Sequence, residues 1–150
     1  MIRNLILSGG VAHDYARTSP MLAAVLQDVA IESTIVEDVN AVGRGMLDGF
    51  DMLTLNCVRW TCNQTPDWRG EWRFELSAEA RRRMLRFLAA GKGVLALHAA
   101  TICFDDWPEY GRILGAWWDW ACSGHAPCQA HTMHVTAAQH PITRGLRDFI

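Results

Sequence analysis

The sequence lacks the features that mark several functional classes. Its 150 residues carry 14 Lys and Arg against 16 Asp and Glu, and a formal net charge of −2 gives no general attraction to nucleic acid or anionic membranes. No apolar run approaches the ~18 residues of a membrane span, and the N-terminal residues lack signal-peptide architecture. The five cysteines are an odd number without a C-x-x-C pair. We therefore expect a cytoplasmic protein with reduced thiols and no nucleic acid or membrane partner.

Motifs for nucleophilic catalysis and nucleotide binding are also missing. The chain has no G-x-S-x-G, and Ser8-Gly9-Gly10 is not a G-x-G-x-x-G loop although it follows a predicted strand. A glutaminase thiol must lie on the tight turn after a buried strand, where a helix N-terminus lowers its pKa. After Val94–Leu97 that turn holds His98, and Cys103 comes too late. The sequence therefore predicts neither glutaminase chemistry nor a nucleotide cofactor.

The composition is that of one globular α/β domain spanning residues 1–150. Half of the residues are hydrophobic and 20% are charged. Five apolar segments predict strands: Ile2–Leu7, Glu32–Val36, Asp51–Asn56, Val94–Leu97 and His131–Thr136. Val94–Leu97 contains no polar residue, which is typical of a strand buried on both faces. Helical patterns alternate with the strands and favour a mostly parallel sheet.

Three helices and one long loop separate these strands. Ser19-Pro20 predicts a helix start, with an apolar stripe of Leu22, Val25, Leu26 and Val29. Ser77 is a natural N-cap for a second helix, and a short third helix follows Trp107. The polar and aromatic segment Thr61–Leu76 predicts a long loop, and such loops are usually functional or disordered.

Histidines lie at several predicted loop positions. His98 ends a strand, His13 lies in the loop after the first strand, and His125 and His140 lie in later loops. Ligands bind at the carboxyl ends of parallel strands, so these imidazoles could converge there on zinc or act in general acid–base catalysis. A structural or surface role is the alternative for each residue. His131 and His134 would lie on opposite faces of a strand, so at most one could join such a site.

Carboxylate, amide and indole groups near these positions supply further candidates. Asp14 adjoins His13, Asn56 ends the third predicted strand, and Trp107 precedes the short helix. Six of the seven tryptophans fall between Trp60 and Trp118, where they could stack on sugar rings. Ordinary hydrophobic burial explains them equally well.

An ordered set of motifs resembles one known family. The motifs are Ser8-Gly9-Gly10 with His13-Asp14, GKGVLALHAAT at 91–101, DWPEY at 106–110 with Leu114-Gly115, Gly124-His125, and His140-Pro-Ile-Thr-Arg-Gly-Leu146. In this order, across nearly the whole chain, they resemble the ThuA-like (trehalose utilisation) family. The resemblance implies a flavodoxin-like, class I glutamine-amidotransferase-like three-layer sandwich from which the catalytic cysteine is absent.

The resemblance also implies a role in the metabolism of trehalose or a related disaccharide. We expect an enzyme acting on a sugar derivative, with His98 and His125 as catalytic groups or as ligands of a divalent metal such as zinc. The predicted substrate-binding residues are His13, Asp14, Asn56, Trp107 and His140. The alternative is a non-catalytic sugar-binding or regulatory module on the same scaffold.

Two departures from the family pattern matter. Ala99-Ala100-Thr101 follows His98, where many members have glycine after the histidine. The family usually continues beyond the position of Ile150 to an acidic Asp-Glu-x-Tyr segment and further strands. We therefore expect either a fragment of a longer domain, or a domain that lacks one acidic ligand and part of the family core. In both cases we expect exposed apolar surface that a partner chain, such as a second copy, could cover.

Overall fold

The computed structural model describes all residues from 1 to 150, in two compact units, Met1–Asp119 and Trp120–Ile150. The first unit contains one sheet of four parallel strands in the order β2-β1-β3-β4. The strands are β1 (Ile2–Gly9), β2 (Ile31–Val36), β3 (Met52–Cys57) and β4 (Gly93–Ala96). This order is that of a flavodoxin-like sheet, so the predicted α/β fold class is confirmed.

Helices and 3-10 turns connect the strands. The α-helices are α1 (Tyr15–Gln27), α2 (Arg69–Trp72), α3 (Ala78–Ala89) and α4 (Pro108–Leu114). Shorter 3-10 segments span Val39–Arg44, Pro66–Trp68 and His98–Ile102. No helix combines the length and the apolarity needed to cross a membrane.

The main hydrophobic core involves β1, β3, α3 and the start of α4. Its fully buried members include Leu5, Leu7, Leu53, Leu55 and Phe104. Strands β1 and β3 are central, so both alternating sets of their side chains are covered, as expected for a parallel sheet. The core therefore holds the carboxyl ends of β1 and β3 in fixed positions.

The prediction that the strand before His98 is buried on both faces is wrong. All four residues from Val94 to Leu97 are only half-buried. Strand β4 pairs with β3 alone and lies at the edge of the sheet, so it has no neighbour on its outer side. An uninterrupted apolar sequence indicates that a strand favours burial. It does not indicate whether the strand is central or lies at the edge of the sheet.

Helix α1 begins earlier than predicted and buries a different face. Asp14, not Ser19, is its N-cap, and its carboxylate accepts a hydrogen bond of 3.1 Å from the Arg17 N–H. Pro20 lies inside the helix, where it removes one backbone donor. Two members of the predicted stripe, Val25 and Val29, are 64% and 67% exposed. The buried or half-buried face is Tyr15, Ser19, Leu22 and Leu26, at spacings of four, three and four residues.

The predicted loop Thr61–Leu76 includes the short helical segments Pro66–Trp68 and Arg69–Trp72. The Asp105 carboxylate anchors its beginning, accepting hydrogen bonds of 2.8 Å from both the backbone N–H and the hydroxyl of Thr61. At its far end the Phe74 N–H donates to the Trp60 carbonyl over 2.8 Å. The segment is therefore held both by a chain neighbour and by Asp105, a residue distant in sequence.

The unit Trp120–Ile150 contains no strand, and the strand predicted at His131–Thr136 is wrong. A single antiparallel bridge joins Met133 to Phe149. The Asp148 carboxylate reinforces it, accepting a 2.8 Å hydrogen bond from the Val135 N–H and lying 2.7 Å from His134 Nδ1. One bridge does not propagate into a ladder, so the segment stays irregular despite its apolar residues.

Candidate functional site

Two of the predicted site residues meet at the carboxyl edge of the sheet. His13 lies in the loop after β1, and His98 comes two residues after the end of β4. Their ring centroids are 4.9 Å apart with an edge-to-face angle of 71°. Both residues are exposed, so a ligand can reach the pair from solvent. The position agrees with the general placement of ligands in open parallel sheets.

The backbone at His98 is unusual. Its φ is +43°, in the left-handed region that residues other than glycine rarely adopt. The residue opens the 3-10 turn His98–Ile102, and the Thr101 hydroxyl donates a 3.0 Å hydrogen bond to its carbonyl oxygen. This turn directs the chain away from the sheet at the point where the imidazole is presented.

The surroundings of His13 favour its neutral form. Burial lowers the pKa of His13 from its ordinary value of 6.5, and the nearby charge of His98 lowers it further. At neutral pH the His13 imidazole is therefore uncharged and can accept a proton or a hydrogen bond.

Asp14 and Asn56 have structural partners that fix the position of helix α1. Asp14 is the N-cap of the helix. The Asn56 amide donates hydrogen bonds of 2.9 Å to Ser19 Oγ and 3.2 Å to Thr18 Oγ1, which connects the end of β3 to the helix. Both residues thus position the loop that carries His13, and their roles in substrate binding stay predictions.

Trp107 lies in the core, and its predicted role in substrate binding stays a prediction. Its side chain is 5% exposed, and its ring stacks on Tyr110 with centroids 6.0 Å apart and an interplanar angle of 25°. The Arg81 guanidinium lies 5.9 Å from the same ring. The start of α4 packs the indole against the rings of Phe104 and Tyr110.

The other two predicted histidines belong to the unit Trp120–Ile150. His125 Nδ1 lies 3.1 Å from the carbonyl oxygen of Ala126, and His140 Nδ1 accepts a 3.2 Å hydrogen bond from the Ile142 N–H. Both are exposed. The chain contains no group of three or more His, Cys, Asp or Glu side chains arranged to hold a metal ion. Roles for His125 and His140 in the site remain predictions.

The thiols near the carboxyl edge are buried. Cys57 and Cys103 are 0% and 2% exposed, and their sulfur atoms are 3.8 Å apart. Burial raises the pKa of the Cys103 thiol well above its usual range. A buried thiol with a raised pKa is a poor nucleophile, because the thiolate is the reactive form.

Sequence reasoning missed Arg59, which lies at the same edge two residues after β3. A Cβ atom on Gly9 would come within 2.8 Å of Arg59 Nη2, and one on Gly10 within 2.3 Å of the Val58 carbonyl oxygen. Both glycines have positive φ, 96° and 124°. The Ser8-Gly9-Gly10 motif therefore lets the exits of β1 and β3 approach closely. The sequence feature that could have identified Arg59 is a basic residue directly after a buried strand.

The four-stranded parallel sheet and its strand order define an α/β protein of the flavodoxin-like class. The family model for trehalose utilisation, ThuA, matches residues 3–150, and the chain belongs to this family.

The fold of this chain is also similar to that of a solved structure. The crystal structure of a ThuA-like protein from Bacteroides uniformis has a TM-score of 0.69 to this chain, with 16% sequence identity. The match covers 99% of this chain and 57% of that protein, so the chain spans little more than half of its structural neighbour. No curated protein matches the sequence significantly.

Proposed function

We propose that the chain is an enzyme of carbohydrate metabolism that acts on a sugar derivative at the carboxyl edge of its sheet. The observation that carries the proposal is the contact between His13 and His98, whose ring centroids are 4.9 Å apart. Membership of the trehalose utilisation family supports a disaccharide such as trehalose, or a close relative, as the substrate. The site needs no thiol, consistent with the burial of Cys57 and Cys103.

His13 and His98 are suited to complementary roles in proton transfer. A charge on His98 lowers the pKa of His13, so the pair resists double protonation near neutral pH. One imidazole can then donate a proton while the other accepts one, as general acid–base catalysis at a sugar hydroxyl requires. We assign the role of base to His13, because its partial desolvation favours the neutral imidazole. The role of acid then belongs to His98.

Ligation of a divalent metal such as zinc remains a separate proposal for His98 and for His125, which belong to different units. Zinc sites use at least three protein ligands, and the chain has no group of three or more suitable side chains. These two residues alone fall short of that number of ligands. Metal analysis of the purified protein and of His98→Ala and His125→Ala tests the proposal: one metal per chain, lost in both variants, would support it.

Turnover of trehalose and related disaccharides tests the acid–base pair. Removing a general acid or base costs about 10²- to 10⁴-fold in rate, so we expect losses of that size in kcat/KM for His98→Ala and His13→Ala. His131→Ala is the matched control, because His131 is exposed and lies in the unit Trp120–Ile150. Unchanged turnover in both site variants would overturn the proposed roles.

Saturable sugar binding without turnover, under each divalent metal tried, would favour the alternative of a non-catalytic sugar-binding module. The burial of Cys57 and Cys103 is the observation consistent with that alternative, because it leaves the amidotransferase-like scaffold without an accessible thiol at this edge. We also propose a cytoplasmic location, supported by five cysteines of which none forms a disulfide.

A further inference from the structure

The orientation of the His13 imidazole depends on the groups that it contacts. His13 lies in the loop after β1, outside any helix or strand, and it is exposed. An exposed side chain in a loop can adopt several rotamers, of which only some bring its ring to His98. The proposed proton transfer needs such a rotamer, so a neighbour that selects it matters to the site.

Two edge-to-face contacts share the His13 ring. One is with His98, at a centroid distance of 4.9 Å and an angle of 71°, and the other is with Tyr15, at 5.7 Å and 80°. Aromatic rings favour this arrangement at centroid distances of about 4.5–7 Å, because the positive edge of one ring meets the negative face of the other. Tyr15 therefore contacts the same imidazole that meets His98.

The fold holds Tyr15 in place. It is the first residue of α1 and is 6% exposed, and its backbone N–H donates a 3.0 Å hydrogen bond to the His13 carbonyl. One turn later, Ser19 Oγ lies 2.7 Å from Ser8 Oγ and accepts a 2.9 Å hydrogen bond from the Asn56 amide. The start of α1 is thus tied to the ends of β1 and β3, and the Tyr15 ring occupies a fixed position beside His13.

The contact depends on the ring of Tyr15 and not on its hydroxyl. The hydroxyl is buried and has no hydrogen-bond partner, so it donates to neither histidine. A phenylalanine would present a ring of the same shape, whereas a leucine would present none. The ring and the hydroxyl can therefore be tested separately.

We propose that Tyr15 is a positioning residue whose ring holds the His13 imidazole against His98. Its part in catalysis rests on the proposed function, because Tyr15 acts through His13 and exchanges no proton itself. The contact among the three rings is independent of any reaction. Tyr15 thereby fixes the geometry in which one imidazole accepts a proton while the other donates one.

Nuclear Overhauser effects between ring protons test this geometry without a substrate. In wild type we expect one effect between Tyr15 and His13 and another between His13 and His98. Tyr15→Phe should keep the effect between the histidines, and Tyr15→Leu should lose it. Phe87→Leu is the matched control and should also keep it, because Phe87 is 7% exposed in α3 and takes part in neither ring contact.

Steady-state kinetics with trehalose and related disaccharides test the consequence for catalysis. Tyr15→Leu should lower kcat by about tenfold, because a misoriented acid–base group slows the chemical step. KM should stay within about twofold of wild type, since the change removes no group that binds substrate. Tyr15→Phe and Phe87→Leu should keep the wild-type kcat.

The Overhauser measurements can overturn the proposal whether or not the protein turns over a sugar. Absence of the effect between Tyr15 and His13 in wild type would do so without any variant, so the test does not depend on the folding of Tyr15→Leu. An effect between the histidines that persists in Tyr15→Leu would show that the ring is not needed. Its loss in Tyr15→Phe would assign the role to the hydroxyl, and its loss in Phe87→Leu would show a general response to core truncation.

The two proposals fail in distinguishable ways. A wild type that turns over no disaccharide, but shows both Overhauser effects and loses the effect between the histidines in Tyr15→Leu, would count against the proposed function. It would leave the positioning of His13 by Tyr15 supported.

Discussion

The two units of the chain differ in how much of their sequence is buried, and the predicted site residues are divided between them. Every buried residue lies in Met1–Asp119, and none lies in Trp120–Ile150. In the first unit a parallel sheet fixes where each strand ends, and His13 and His98 meet there. In the second, one isolated bridge between Met133 and Phe149 is the only strand-like pairing. The ends of predicted strands therefore indicate which loop residues meet only where the strands form a sheet.

Thiol labelling should show the largest contrast between the units. Cys57, Cys62 and Cys103 are buried in the first unit, and Cys122 and Cys128 are exposed in the second. Burial also raises the pKa of Cys62 and Cys103, which disfavours their thiolates. If reaching a buried thiol requires opening that costs about 4 kcal/mol, the three should react about a thousandfold more slowly.

Labelling with an aromatic disulfide reagent, followed by peptide mass spectrometry, measures these rates site by site. Addition of denaturant is the control, because it should make all five thiols react at similar rates. Rapid modification of Cys57 or Cys103 in native protein would show that the core at the carboxyl edge opens readily.

Matched leucine truncations compare the two units in free energy. Leu7 is 0% exposed in β1, whereas Leu146 is 52% exposed in the second unit. We expect Leu7→Ala to lower the free energy of unfolding by about 2–5 kcal/mol through lost burial and cavity formation. Leu146→Ala should change it by less than about 0.5 kcal/mol. Urea denaturation measures both, and comparable losses would mean that Leu146 is buried in solution.

The sequence predicted the elements of the first unit well because their signals are local and repeated. Apolar runs located all four strands, and Ser77 marked the start of α3. The errors concern spatial neighbours of a residue or strand, which local sequence patterns do not predict. The apolar run of β4 did not reveal that β4 is an edge strand, and the Ser19-Pro20 pair resembled a helix start although Ser19 is buried inside α1, with its Oγ 2.7 Å from Ser8 Oγ.

The positions of two candidate site residues were predicted for the same reason. The position of His98 after an apolar run located the carboxyl edge, and His13 followed from the first strand. The burial of Trp107 was not predicted, because aromatic enrichment does not distinguish a pocket from a core. Arg59 was missed because its position depends on its close approach to Gly9 of another strand, which is a property of the packed structure.

The smallest predicted effect is the pH dependence of His13. Because burial and His98 lower the pKa of His13 below 6.5, the unfolded chain binds a proton more readily than the folded one. This contribution to stability is therefore fully present above pH 6.5 and is lost as the pH falls through the folded pKa. An NMR titration should give His13 a midpoint below 6.5, and His98→Gln should raise it by removing the neighbouring charge. His131→Gln should leave the midpoint unchanged, and an unchanged midpoint in His98→Gln would show that the two imidazoles do not interact in solution.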